Sequence, residues 1–149
     1  MTTDEYWQKF LKEKNKKPDL KYNGEFQFGM GDDEDSGLLG LVISGRKTAV
    51  TSSLYSFDID MERVPKKGDY YIITDNSGNP VCIIHEVNVQ VTAFKDVTWE
   101  YAQKEGEDEN ISQWRNSHID FFMDEGDIMG YEFSEDMPVV LEEFEVVYR

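Results

Sequence analysis

Arg46 and Lys47 stand side by side, and Thr48, Thr51, Ser52 and Ser53 crowd in directly behind them. The pair follows the apolar run 38–43 through Ser44 and Gly45, where a helix is expected to stop and a strand to begin. Junctions of this kind often carry chemistry, because rigid elements on both sides fix a short exposed loop. A lysine there accepts a proton only if burial or a second cation lowers its pKa. Held as an ammonium, it stabilises a carbonyl oxyanion or a phosphate instead. On this reading Arg46 and Lys47 contact anionic or carbonyl oxygens, and Thr48 and Thr51 hydrogen-bond the ligand. Ser52 and Ser53 contact a phosphate or carbonyl, and Tyr55 walls the cleft. The bland alternative for Lys47 is a solvated side chain favoured by the dipole of the helix it follows.

These residues sit in an acidic protein. The 149 residues hold 15 Lys and Arg against 31 Asp and Glu, a formal charge of -16. Such a field repels phosphate backbones, so duplex DNA is not an expected partner. It does not forbid a ligand in a locally basic pocket, since screening limits its reach to about 8–10 Å. With 39% hydrophobic and 13% aromatic residues, the chain can close one core, and a single domain over 1–149 is expected. No apolar stretch is long enough to span a membrane, and the polar, acidic start is unlike a secretory signal. Cys82 is alone, so no internal disulfide can form and a buried inert thiol is expected. The expected compartment is the cytoplasm.

The elements that must position the candidates follow from spacing. Trp7, Phe10 and Leu11 predict a helix over 4–15, capped by Asp4 and stopped by Pro18. An aromatic, turn-rich piece at 22–29 reads as extended. The acidic run 32–36 should open a second helix that ends at Gly45. Strands are predicted over 48–55, 70–74 and 139–148, with 80–94 either one long strand or two meeting at a bend, and a hairpin turn at 75–79. Val87, Val89 and Val91 alternate with Asn88, Gln90 and Thr92, which predicts one dry and one wet face. A short helix at 98–104, an acidic loop at 105–109 and a long helix from Asn110 to about Met129 complete the pattern. Strands and helices do not alternate regularly, so a doubly wound sheet is not expected. The fold class read here is α+β: a small, mixed, mostly antiparallel β-barrel with helices packed around it.

Other candidates resolve toward structure. The acidic runs 32–35 and 105–109 lack the spacing of a calcium loop and read as solvated faces; neither a metal nor an organic cofactor is expected. His118 lies one turn after Trp114 on a partly apolar helix face and reads as a structural histidine. Trp99, Tyr101 and Trp114 could stack a base, but aromatics at helical spacing more often build the core.

Six segments together resemble the ASCH domain family, within the PUA-like β-barrels. They are 41–49 around Ser44-Gly45-Arg46-Lys47-Thr48, 64–70 around Lys66-Lys67-Gly68-Asp69, and 78–84 around Asn79-Pro80-Val81-Cys82. The others are 101–107 around Tyr101-Ala102-Gln103-Lys104-Glu105, Trp114-Arg115 with His118 and Phe121-Phe122, and 133–140 around Glu135-Asp136-Met137-Pro138. The match runs over nearly the whole chain and looks most like the free-standing bacterial members. It implies a barrel with a cleft beside it and a ligand class of RNA or a modified nucleoside or nucleotide. One branch consists of amidohydrolases acting on N(4)-acetylcytidine. That branch implies Lys47 as proton acceptor, Glu105 as proton donor and, three residues after the lysine, a threonine nucleophile. Here that position holds Val50, which has no hydroxyl, and Thr51 follows it. The reading that results is ligand binding in a cleft containing Lys47 and Glu105. Amide hydrolysis through Lys47, Glu105 and Thr51, RNA cleavage with Lys47 as phosphate clamp, and a non-catalytic interaction domain whose acidic surface meets a basic partner are the alternatives.

Overall fold

A computed structural model describes residues 1–28 and 37–149. The acidic run expected to open the second helix lies outside them. Helix α1 (Thr3–Glu13) is amphipathic and is capped by Thr2 in a reciprocal bond with Glu5, not by Asp4. Asp4 instead accepts from the Tyr22 hydroxyl. The strands are β1 (Gly24–Gln27), β2 (Ala49–Ser53), β3 (Tyr70–Thr74), β4 (Pro80–Ala93) and β5 (Pro138–Tyr148). The remaining helices are α2 (Leu38–Ser44), α3 (Leu54–Ile59), α4 (Trp99–Ala102) and α5 (Ile111–Met129), with a 3₁₀ turn over Gln103–Glu105.

The five strands form one mixed sheet in the order β1-β3-β4-β5-β2, a half-barrel with the helices around it. Among the described residues only β1 and β3 pair in parallel; the other pairs are antiparallel. This is the α+β architecture expected. The hairpin at 75–79 forms as read, with the Asp75 carboxylate accepting from the Ser77 and Asn79 amides.

Two expectations need correction. The strand after Lys47 stops at Ser53, where the Ser53 hydroxyl accepts from the Tyr55 amide and starts α3. Tyr55 is therefore helical. The alternation of Val87, Val89 and Val91 also fails, because the β4–β5 register slips between Glu86 and Asn88. A slip of one residue moves every following side chain to the other face. Val87 and Val91 are exposed, while Glu86 is buried.

The core is built on both faces of the sheet. On one face Ala49, Val139 and Leu141 pack with Phe94, Tyr101, Trp114 and Phe122 from α4, α5 and the turns beside them. On the other, Val50 and Phe144 pack with Tyr71, Ile84, Phe26 and Phe28. Helix α1 lays Tyr6, Trp7, Phe10 and Leu11 against Ile72, Ile83 and Tyr148.

Candidate functional site

Lys47 is locked before its side chain does anything. Gly45 ends α2 in the left-handed region at φ 82°, and the amides of Gly45, Arg46 and Lys47 turn back onto the carbonyls of Leu41 and Val42. The 3₁₀ turn after α4 is pressed onto this bend. Gly106 has φ 75°, and a Cβ there would lie 2.8 Å from the Arg46 carbonyl oxygen. Only glycine permits that approach, and it delivers Glu105 and Glu107 to Lys47. The Thr48 amide and hydroxyl both donate to the Lys104 carbonyl, at 2.8 and 3.3 Å, and stitch the two segments together.

Glu105 is the hub. Its side chain is 3% exposed, accepts from three donors and meets the ring of His118. Lys47 Nζ at 3.4 Å and His118 Nε2 at 3.2 Å meet Oε1. Thr51 Oγ1 at 2.7 Å and Trp114 Nε1 at 2.8 Å meet Oε2. Lys47 also donates to Glu107 Oε2 at 2.8 Å. Burial by itself would raise the Glu105 carboxyl. The hydrogen bond and charge of His118, then Lys47 and Thr51, outweigh it and hold Glu105 below the usual carboxylate range. The Tyr101 hydroxyl bridges to the Val50 carbonyl at 2.8 Å and to Thr51 Oγ1 at 3.1 Å. Burial, then the charge of Glu105, pushes that phenol well above its ordinary value.

Beside this hub opens a cavity of about 560 Å³. Lys47, Glu105, Glu107 and His118 line one part of it; Phe26, Phe28, Phe121 and Val50 supply apolar wall. Strand β2 ends the sheet, so both of its faces reach the cavity: Val50 and Ser52 from one, Thr51 from the other. A strand sets the neighbours Val50 and Thr51 on opposite faces, and at this edge both faces meet the cavity.

The predicted residues divide accordingly. Lys47, Glu105, Thr51 and Ser52 line the cavity. Arg46 is exposed and outside it, and Thr48 is spent on Lys104. Ser53 is buried as the cap of α3, and Tyr55 packs against Tyr131 with ring centroids 5.6 Å apart. Glu105 is not in a solvated loop but buried in the 3₁₀ turn. His118, Glu107 and Phe121 also line the cavity, although their spacing reads as a structural histidine, a solvated acidic run and a helix face. Trp114 and His118 sit four residues apart on α5, whose start is capped by the Asn110 side chain accepting from the Gln113 amide. Their rings stack at 4.0 Å. Trp114 is thus core and also a donor to the hub. Among the described residues no group of three or more His, Cys, Asp or Glu side chains is arranged to hold a metal ion.

Comparison with known proteins follows the same lines. The ASCH domain family model matches residues 25–148. The crystal structure of protein EF3133 from Enterococcus faecalis V583 is 35% identical, covers 97% of this chain and 87% of its own, and superposes with a TM-score of 0.82. The ASCH domain from Lactobacillus crispatus JV V101 is 27% identical, with 98% and 94% covered and a TM-score of 0.82. Among curated proteins none matches significantly. No helix among the described residues is long and apolar enough to cross a membrane. With its half-barrel, its bend at Lys47 and a family model spanning most of its length, the chain belongs to the ASCH domain family.

Proposed function

We propose that the cavity beside β2 binds RNA bases or a nucleoside-class ligand. Lys47 meets a carbonyl or phosphate oxygen of the ligand, and Phe26, Phe28 and Phe121 flank its ring. One observation carries this reading: an ammonium, a hydroxyl and a carboxylate from separate elements converge in a cavity of about 560 Å³ whose remaining walls are largely apolar. A pocket of that size, apolar with a few convergent polar groups, suits a small ring-bearing ligand. The fixed Glu105 supplies no recognition of its own; it orients Lys47 and Thr51. The charge of -16 and the carboxylates of Glu105, Glu107 and Glu125 on the wall favour contact through the base over contact through phosphates.

The test is equilibrium binding of cytidine and of short single-stranded RNA. Binding is expected to depend weakly on salt and to be lost in Lys47→Ala. Failure of both ligands to bind, or undiminished binding in the variant, would defeat the reading.

Hydrolysis of an amide on a modified pyrimidine is the second reading, and one contact favours it. The Thr51 hydroxyl lies 2.7 Å from Glu105 Oε2 in the cavity that Lys47 also lines, in place of the hydroxyl absent at Val50. Release of cytidine and acetate from N(4)-acetylcytidine, abolished in Thr51→Val and Lys47→Ala, would establish it. No release would exclude it.

A further inference from the structure

The ring of His118 is fixed at both nitrogens, and its two neighbours decide how many protons it carries. Nδ1 lies 2.8 Å from the Trp114 carbonyl oxygen, which can only accept, so Nδ1 bears a hydrogen. Nε2 lies 3.2 Å from Glu105 Oε1. A bare lone pair at Nε2 would require Glu105 to be protonated and to donate. That carboxyl already accepts from Lys47, Thr51 and Trp114, an arrangement that suits a carboxylate. Flipping the ring would set carbon against both oxygens and forfeit both bonds.

We infer that His118 is a doubly protonated imidazolium in the resting protein and is the positioning residue of the cavity, holding Glu105 as a carboxylate and leaving the third N–H of Lys47, beyond those on Glu105 and Glu107, for a ligand. For its functional consequence this rests on the cavity being the ligand site; the protonation state stands on geometry alone. Burial opposes the positive charge, but the hydrogen bond and charge of Glu105, then the Trp114 carbonyl and Glu107, outweigh it and raise His118 above its ordinary value.

The charged groups around the ring come from several elements. Glu105 stands in the 3₁₀ turn, Glu107 in the loop beyond it, Lys47 at the entry to β2, and Glu125 lies farther along α5 on the cavity wall. Lys47 and imidazolium His118 balance Glu105 and Glu107. Loss of the His118 proton leaves this quartet one unit negative and sets a lone pair against the Glu105 oxygen. Lys47 is then drawn toward Glu105, and an incoming carbonyl or phosphate oxygen loses its partner. The same bookkeeping places the site's mobile proton on His118 rather than on Glu105.

Imidazole ¹⁵N NMR of the full chain tests this, with His85→Gln to assign the remaining histidine signal. Both His118 nitrogens are expected to be protonated at neutral pH, with a midpoint above the ordinary value of about 6.5. Glu105→Gln should lower that midpoint. Should that variant not fold, Glu107→Gln, altered at a partly exposed carboxylate, should lower it by less. A neutral ring at neutral pH, or a midpoint that the variant does not move, overturns the inference. Cytidine affinity over the same pH range is the second arm. It should weaken by up to about tenfold per pH unit above the midpoint, and this step should vanish in His118→Asn. Binding that ignores the midpoint overturns the positioning role. No cytidine binding at any pH counts against the nucleoside reading, and the NMR result then decides the state of His118.

Discussion

Glu105 on one side, and Glu86 with Glu142 on the other, are buried carboxyls of opposite kinds. Glu105 is enclosed by four donors and is held ionised. Glu86 and Glu142, at 1% exposure each, are as deeply buried, yet none of their four oxygens has a well-formed hydrogen-bond partner. The two are close enough to act on each other. Burial first, then the neighbouring Glu142 carboxyl, pushes Glu86 up to about 10. Burial also raises Glu142, and the charge of Asp69 adds to it. Desolvation is common to both places, so partners decide the charge. The first is an ionic hub at the cavity. The second is a pair of carboxyls on the sheet whose burial favours the neutral form, introduced where β4 slips its register.

The contrast can be broken most easily by deletion. Glu105→Ala leaves His118, Thr51 and the Trp114 indole without their shared acceptor and Lys47 with Glu107 alone. It should cost about 3–5 kcal/mol in urea unfolding and abolish cavity binding. Glu86→Gln should cost far less or stabilise; equal losses would mean the two regions do not differ in kind.

pH sharpens the same comparison. A carboxyl raised in the folded state lets the native protein hold protons that the unfolded chain releases. Stability therefore falls as pH rises from the ordinary carboxylate value toward about 10, by up to about 1.4 kcal/mol per pH unit for each such group. Glu86→Gln should flatten that alkaline decline. The hub runs the other way at its acid limit. The stabilisation from Glu105 is present above the ordinary carboxylate value and is lost as pH falls through its depressed one. The contribution of His118 is complete below about 6.5 and is lost as pH rises through its raised value. Unfolding curves of wild type and Glu86→Gln at several pH values separate the two.

Smaller effects should follow from single contacts. Thr51→Val removes one charge-assisted bond and should cost about 1.5–3 kcal/mol while leaving the fold intact by circular dichroism. Arg46→Ala, exposed and off the cavity wall, should change stability by no more than about 0.5 kcal/mol and leave cytidine affinity unchanged. A large loss of affinity there would extend the site beyond the cavity.

How legible was this in the sequence? The helix ending at Gly45, the long α5 and the closing strand follow from periodicity and caps, because those signals are local. That Lys47 and Glu105 share a cleft was implied only by the family resemblance, which set Val50, not Thr51, at the hydroxyl position. His118 was not legible, since a histidine one turn beyond a tryptophan looks the same whether a carboxylate or solvent faces it. Its partner lies thirteen residues back, in a turn that reads as a solvated acidic loop. Glu86 and Glu142 are illegible for a related reason. Hydropathy assigns carboxylates to the surface, and the slip at Val87 that turns the register has no Gly or Pro to announce it.

The Trp114–His118 stack gives the molecule an optical property. An indole lying 4.0 Å from the His118 ring, with its own N–H on the adjoining carboxylate, should emit according to the charge of that imidazole. With Trp7 and Trp99 replaced by phenylalanine, the remaining emission would brighten as the ring gives up its proton. The cavity thus carries its own indicator dye, readable in a cuvette without label or ligand.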